Sequence, residues 1–179
     1  MKVILLGLNH ALQWKDPTGD LRRIIEEQLT TAGVGLVAEE ASGLPTTVAQ
    51  RLAFKYDTPW LDIDMSTADR KLAGIYEALT QRRREPLGLA ENADYRCLYL
   101  PAEDGIRERE WTSRILKSSV DVALCLCGFM HVDPFAQKLE EGGCRVEKLK
   151  LTELTWSQDH YGSYSIVEEN GSRWCEVRH

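Results

Sequence analysis

Residues 120–127 read Val-Asp-Val-Ala-Leu-Cys-Leu-Cys, an apolar run broken by a single aspartate. A strand that is apolar on both faces needs cover on both, and the usual solution is a parallel sheet with helices packed on each side. The rest of the chain follows the same plan. Residues 2–6 are a short aliphatic run closed by Gly7, and residues 35–38 and 59–63 are further strand candidates. Residues 145–151 follow the Gly142-Gly143 stop as another. Helical patterns separate them. Asp20 caps a segment with Leu21, Ile24, Ile25 and Leu29 on one face and Gly33 at its end. Thr46 or Thr47 caps a segment reaching Lys55. Ser66-Thr67-Ala68-Asp69 has the form of a capping box, opening a helix to about Arg84 with Leu72, Ile75, Tyr76 and Leu79 inward. Residues 87–104 show no period and read as a long loop, followed by a helix over 106–119. Asn170-Gly171 between residues 164–167 and 173–177 predicts a terminal β-hairpin. The expectation is one α/β domain over residues 1–179, a mostly parallel sheet flanked by helices with a C-terminal hairpin.

A length of 179 residues suits one domain with a substantial core. The formal net charge of −6 argues against a broad grip on nucleic acid. Arg82-Arg83-Arg84, offset by Glu85, reads as a solvated helix end rather than a phosphate-binding patch. No apolar stretch approaches the ~20 residues of a membrane span, and the N-terminal apolar run is too short for a secretory signal. Five cysteines, two of them inside the strongest strand, read as reduced core thiols. A cytoplasmic location is therefore expected, with a small-molecule or peptide substrate as partner and a homodimer as the alternative to a monomer. The five tryptophans read as core packing, and His160 and His179 are given no role.

Chemistry-bearing residues gather at the predicted strand ends. Gly7-Leu8-Asn9-His10 closes the first apolar run, Gly128-Phe129-Met130-His131 the strongest one, and Glu39-Glu40 the second strand candidate. Asp62 and Asp64 fall at the end of the third and are expected to orient the histidines or cap the next helix. In open α/β sheets ligands bind outside the carboxyl ends of the strands, so one edge gathers these groups. Two imidazoles with one or two carboxylates match Zn²⁺, Mn²⁺ or Co²⁺. His10, His131, Glu39 and Glu40 are the expected ligands, and the second glutamate is the expected general base. The strand pleat decides which glutamate does which. Arg107 and Arg109, at the start of the helix before the strongest strand, are candidates for binding an anion or a developing oxyanion. A nucleotide site is disfavoured, because no Gly-x-Gly-x-x-Gly or Walker-type loop follows a strand.

The segments LLGLNH, LVAEEAS, DGIREREW and LCLCGFMHVDPFAQKLEEGGCRV, spanning roughly residues 3–150, resemble the EreA/ChaN-like superfamily. That group includes the TraB/PrgY, TIKI, ChaN and erythromycin esterase families. The resemblance implies an α/β core with the motif residues in one cleft, and it points to His10, Glu39 or Glu40, Arg109 and His131. It further implies metal-dependent peptide cleavage as in TIKI-like members, water activation by histidine as in the esterases, or haem binding as in ChaN-like members. The function expected is a metal-dependent hydrolase of a small or peptide-like substrate; the alternative is a non-enzymatic haem, metal or small-ligand binding protein.

Overall fold

A computed structural model describes residues 1–41, 43, 46–82, 84–86, 95–151, 154 and 163–178. Five strands form a wholly parallel sheet: β1 (Lys2–Leu8), β2 (Leu36–Glu39), β3 (Trp60–Asp62), β6 (Val122–Gly128) and β7 (Arg145–Lys150). Their order across the sheet is β3-β2-β6-β1-β7, which puts the long apolar strand at the centre. β1 and β6 pair residue for residue, from Lys2 opposite Val122 to Leu8 opposite Gly128.

Alternation along the strands divides the core into two layers. Val3, Leu5, Ala123, Cys125 and Cys127 face one side, where α5 (Pro101–Leu116) and α6 (Val132–Glu141) supply Trp111, Ile115, Phe135 and Leu139. Ile4, Leu6, Leu124 and Leu126 face the other, against Leu21 and Ile25 of α1 (Asp20–Thr31) and Val48 and Leu52 of α2 (Val48–Lys55). Both strand cysteines thus share a face, as their spacing predicts, and all five thiols are free. From β1 the chain steps one way across the sheet to β2 and β3, and from β6 it steps the opposite way to β7. Right-handed crossovers in opposite directions put their helices on opposite faces and open a crevice at the carboxyl ends where the direction reverses. That crevice lies over β2, β6 and β1.

The segment after β3 departs from the expected single helix. The capping box forms, with Ser66 and Asp69 bonded reciprocally, but α3 (Thr67–Leu72) stops there. Gly74 turns with φ +71° before α4 (Tyr76–Thr80) begins. Leu72, expected inward, is exposed, while Ile75 is buried. The expected loop over 87–104 also contains structure: β5 (Tyr95–Leu98) pairs with β4 (Arg84–Pro86), and α5 starts at Pro101. Residues 87–94 lie outside the described residues, as do Arg83, Trp156, His160 and His179.

The terminal hairpin forms from β8 (Ser163–Glu169) and β9 (Ser172–Arg178), with positive φ at both Asn170 and Gly171 as a type I′ turn requires. It joins β5 and β4 in an antiparallel sheet of order β4-β5-β9-β8. This sheet supplies one wall of the crevice at the carboxyl edge of the parallel sheet. No helix among the described residues is long and apolar enough to cross a membrane.

Candidate functional site

The crevice encloses a cavity of about 270 Å³. Its floor holds His10, Glu40, Arg107, Gly128 and His131; its upper wall holds Arg84, Cys97, Tyr164, Cys175 and Val177 of the antiparallel sheet. The two Gly-x-x-His histidines and Glu40 therefore meet, as the strand order predicts.

The pleat separates the two glutamates. Val37 and Glu39 point to the α1/α2 face, so Glu39 is buried beside the start of α2. There its carboxyl accepts from Thr47 Oγ1 at 2.6 Å, Trp60 Nε1 at 3.0 Å and Gln13 Nε2 at 3.0 Å. Burial pushes its pKa up against those three hydrogen bonds. Glu40, one residue on, points to the α5 face and into the cavity. Its Oε1 accepts from Arg107 Nη2 at 2.6 Å and its Oε2 from the Gly128 amide at 2.8 Å. His10 Nε2 stands 3.7 Å from Oε2, and His131 Nε2 3.9 Å from Oε1. Burial raises the Glu40 pKa, but His10, Arg107, His131 and the Gly128 N–H together outweigh it and hold the carboxylate ionised well below the usual range.

Both imidazoles have fixed tautomers. Gln13 Nε2 donates to the Glu40 carbonyl at 2.9 Å, an oxygen that can only accept. The Gln13 amide oxygen is thereby turned to His10 Nδ1 at 2.7 Å, so in the neutral ring Nδ1 carries the proton and Nε2 the lone pair. His131 Nδ1 lies 2.9 Å from Glu108 Oε1. Glu108 also accepts from Tyr99 Oη at 3.1 Å and Lys138 Nζ at 2.8 Å, so it is ringed by donors and His131 is another of them. His131 Nε2 then faces Arg107 Nη1 at 3.5 Å. The two rings differ in access: the His10 side chain is 46% exposed and that of His131 only 2%. Trp111 packs edge-on against His131, with ring centroids 5.0 Å apart.

Arg107 ties the floor together. Besides Glu40 it donates from Nε and Nη2 to Asp64 at 3.0–3.2 Å, and its Nη1 lies 3.4 Å from Asp104. Burial works against its charge, but Glu40, Asp64 and Asp104 overcome that and raise its pKa further above an already high value. Asp64 also accepts from Trp111 Nε1 and bonds Arg70, so it anchors α5 to the end of β3 rather than orienting a histidine. Asp62 accepts the Ala41 and Asp64 amides and likewise contacts neither histidine ring. Arg109, the arginine preferred from the motif, lies exposed on the outer side of α5, and Arg107 occupies the place expected for it. The reason is helical phase. Asp104, Arg107, Glu108, Trp111 and Ile115 form the buried stripe at spacings of three and four, and position 109 is off it. Polar residues on a stripe that ends in Trp111 and Ile115 were the signal that could have marked Arg107 and Glu108 from the sequence.

Each motif glycine makes room for the other motif. A Cβ on Gly128 would stand 2.7 Å from His10 Nε2 and 3.4 Å from Glu40 Oε2. A Cβ on Gly7 would stand 2.2 Å from Cγ2 of Val132, the residue after His131.

The donor set fits a divalent metal poorly. Glu39 faces away, both Glu40 oxygens are engaged, and the Arg107 guanidinium fills the space between Glu40 and His131 that a shared ion would need. Among the described residues, no group of three or more His, Cys, Asp or Glu side chains is placed to hold a metal ion.

No family model, curated protein or solved structure matches the chain.

Proposed function

We propose that the cavity is the active site of a hydrolase for small ester or peptide-like substrates that works without a metal, with His10 as general base. The observation that carries this reading is the fixed tautomer of His10: Gln13 holds the Nδ1 proton, and Nε2 faces the cavity beside the Glu40 carboxylate. Nε2 takes a proton from water as the hydroxide oxygen bonds the substrate carbonyl carbon. The imidazolium so formed is stabilised by the Glu40 carboxylate 3.7 Å away. Nε2 then returns the proton to the leaving alkoxide or amine as the tetrahedral species collapses, giving acid plus alcohol or amine. Arg107 holds Glu40, and the His131–Glu108 pair positions Arg107, so these residues set the geometry around the base. The resemblance to erythromycin esterases, where a histidine is implicated in water activation, supports the assignment. The cavity of about 270 Å³, open to solvent on one side, has room for a compact substrate.

The test is a panel of p-nitrophenyl esters and short peptides assayed with chelator-treated protein. Turnover that survives chelation and falls ~10²–10⁴-fold in His10→Ala supports the reading. Turnover restored only by added Zn²⁺, or unchanged in His10→Ala, refutes it. Haem uptake with no hydrolysis of any of these substrates refutes it in favour of a binding protein.

A further inference from the structure

Arg82 sits beside the catalytic floor in an environment that leaves its donors poorly used. Sequence patterning places it on a solvated helix end; instead its side chain is only 15% exposed and lines the cavity. Nη2 donates to Asp104 Oδ1 at 2.5 Å, and Asp104 is itself buried and bonded to the Leu100 amide. Two further contacts of the guanidinium are to sulfur. Nη1 lies 2.9 Å from Met130 Sδ, and the guanidinium also bonds the Cys97 thiol. Thioether and thiol sulfurs are weak acceptors, whereas a guanidinium fork is matched to the paired oxygens of a carboxylate or phosphate. Met130 and Cys97 both line the cavity, so these donors are directed along its wall. Arg82 thus brings a guanidinium to the cavity wall with one carboxylate partner, Asp104, behind it.

We infer that Arg82 is the specificity-determining residue of an oxyanion subsite, which binds a terminal carboxylate or phosphate on a compact substrate in place of the two sulfur contacts. The inference rests on the hydrolase reading only in taking this cavity as the substrate site. Asp104 fixes one edge of the guanidinium, so the fork is held with its other edge toward the ligand and little side-chain entropy is lost on binding. The anionic group sits on the Arg82 side of the cavity and the bond to be cleaved faces His10.

Calorimetric titration with inorganic phosphate, with glutarate and with uncharged glutaramide at low ionic strength tests this. Binding of phosphate or glutarate but not glutaramide is expected, weakened at least ~10-fold in Arg82→Gln and also weakened in Arg82→Lys, which keeps charge but loses the fork. The stronger of the two anions tells a phosphate-bearing substrate from a carboxylate-bearing one. Met130→Leu removes a competing sulfur and is expected to bind as tightly or more tightly; it carries the test with Arg82→Lys if Arg82→Gln does not fold by circular dichroism. Binding that is absent for both anions, equal for glutaramide, unchanged in the Arg82 variants, or lost in Met130→Leu overturns the subsite. Anion binding that depends on Arg82 in a protein without esterase or peptidase activity leaves the subsite standing and removes the hydrolase.

Discussion

Replacing Arg107 by methionine removes the guanidinium that the floor of the cavity is built around, and the cost can be worked from the contacts. Arg107 meets Glu40, Asp64 and Asp104, yet the loss is not threefold. Asp64 keeps Arg70 and Asp104 keeps Arg82, both close ion pairs. Glu40 keeps the Gly128 amide and the two imidazoles but loses Arg107, its one permanent cation, so a single buried carboxylate is left without a fixed positive charge. Removing one partner of a buried pair costs ~3–5 kcal/mol. For a domain of this size that is a fall in Tm of about 6–20 °C, at ~2–4 °C per kcal/mol. The sign of the pH dependence follows. In the native protein Glu40 titrates below its unfolded value, so its contribution is present above the ordinary carboxylate range and is lost as pH falls through the depressed one. Without Arg107 the burial effect gains ground, the pKa rises, and acid relieves the orphaned charge. The gap between wild type and Arg107→Met is therefore widest near neutrality and narrows toward about pH 5. Thermal unfolding followed by circular dichroism across that range reads it. A Tm change below about 2 °C at neutral pH, less than 1 kcal/mol on the same scale, or a gap that stays constant or widens in acid, would refute the assignment of Arg107 as the charge keystone.

Gly128→Ala is expected to displace His10, because the new methyl would sit 2.7 Å from Nε2; turnover should fall with little loss of Tm, and full activity in a Gly128→Ala variant whose substitution is verified by crystallography would contradict it. Gly7→Ala meets Val132 Cγ2 at 2.2 Å inside the core and should cost ~1–3 kcal/mol by urea unfolding, as overpacking does. Glu40→Gln should flatten the acid limb of the stability curve, since the depressed carboxylate it removes binds more protons unfolded than folded there; an unaltered acid limb speaks against it. Cys97 and Cys175 stand directly opposite on β5 and β9. The Tyr99–Arg173 bond two residues along marks them as a hydrogen-bonded pair, with Cα atoms ~5.5 Å apart and within disulfide span. Burial pushes the Cys175 pKa up to about 12 and the Cys97 pKa upward, so air oxidation should be slow. Added diamide, which takes up the two thiol hydrogens, should link this pair in a non-reducing peptide map, and a map showing another pair would contradict the register.

The sheet was legible because its central strand has to be apolar on both faces and because each crossover helix announces itself by caps and period. The meeting of His10, Glu40 and His131 was legible for the same reason: strand ends of one parallel sheet share an edge. Glu39 and Glu40 could not be told apart without the pleat phase, which depends on how β2 registers against Leu126 of β6. Arg107 and Glu108 were obscured by a rule of thumb that puts charges outside, although their phase with Trp111 and Ile115 places them within. Arg82 was hidden by its neighbours, since an arginine run before Glu85 has the composition of a solvated turn. Half of the antiparallel wall, the β8–β9 hairpin, was legible from Asn170-Gly171; the other half was least visible, because β4 and β5 are short and β5 finds its partner β9 some eighty residues on along the chain.

The reciprocal fit of the two Gly-x-x-His turns has an evolutionary consequence. Gly128 is small because His10 is there, and Gly7 is small because Val132 is there. Neither turn can drift alone, so substitutions at these positions should be inherited in couples. In a descendant that has lost His10, the constraint on position 128 lapses and larger residues become tolerable. A bulky residue at position 128 beside a vanished histidine at position 10 would thus be the molecular scar of a lineage in which the chemistry has been abandoned while the fold persists.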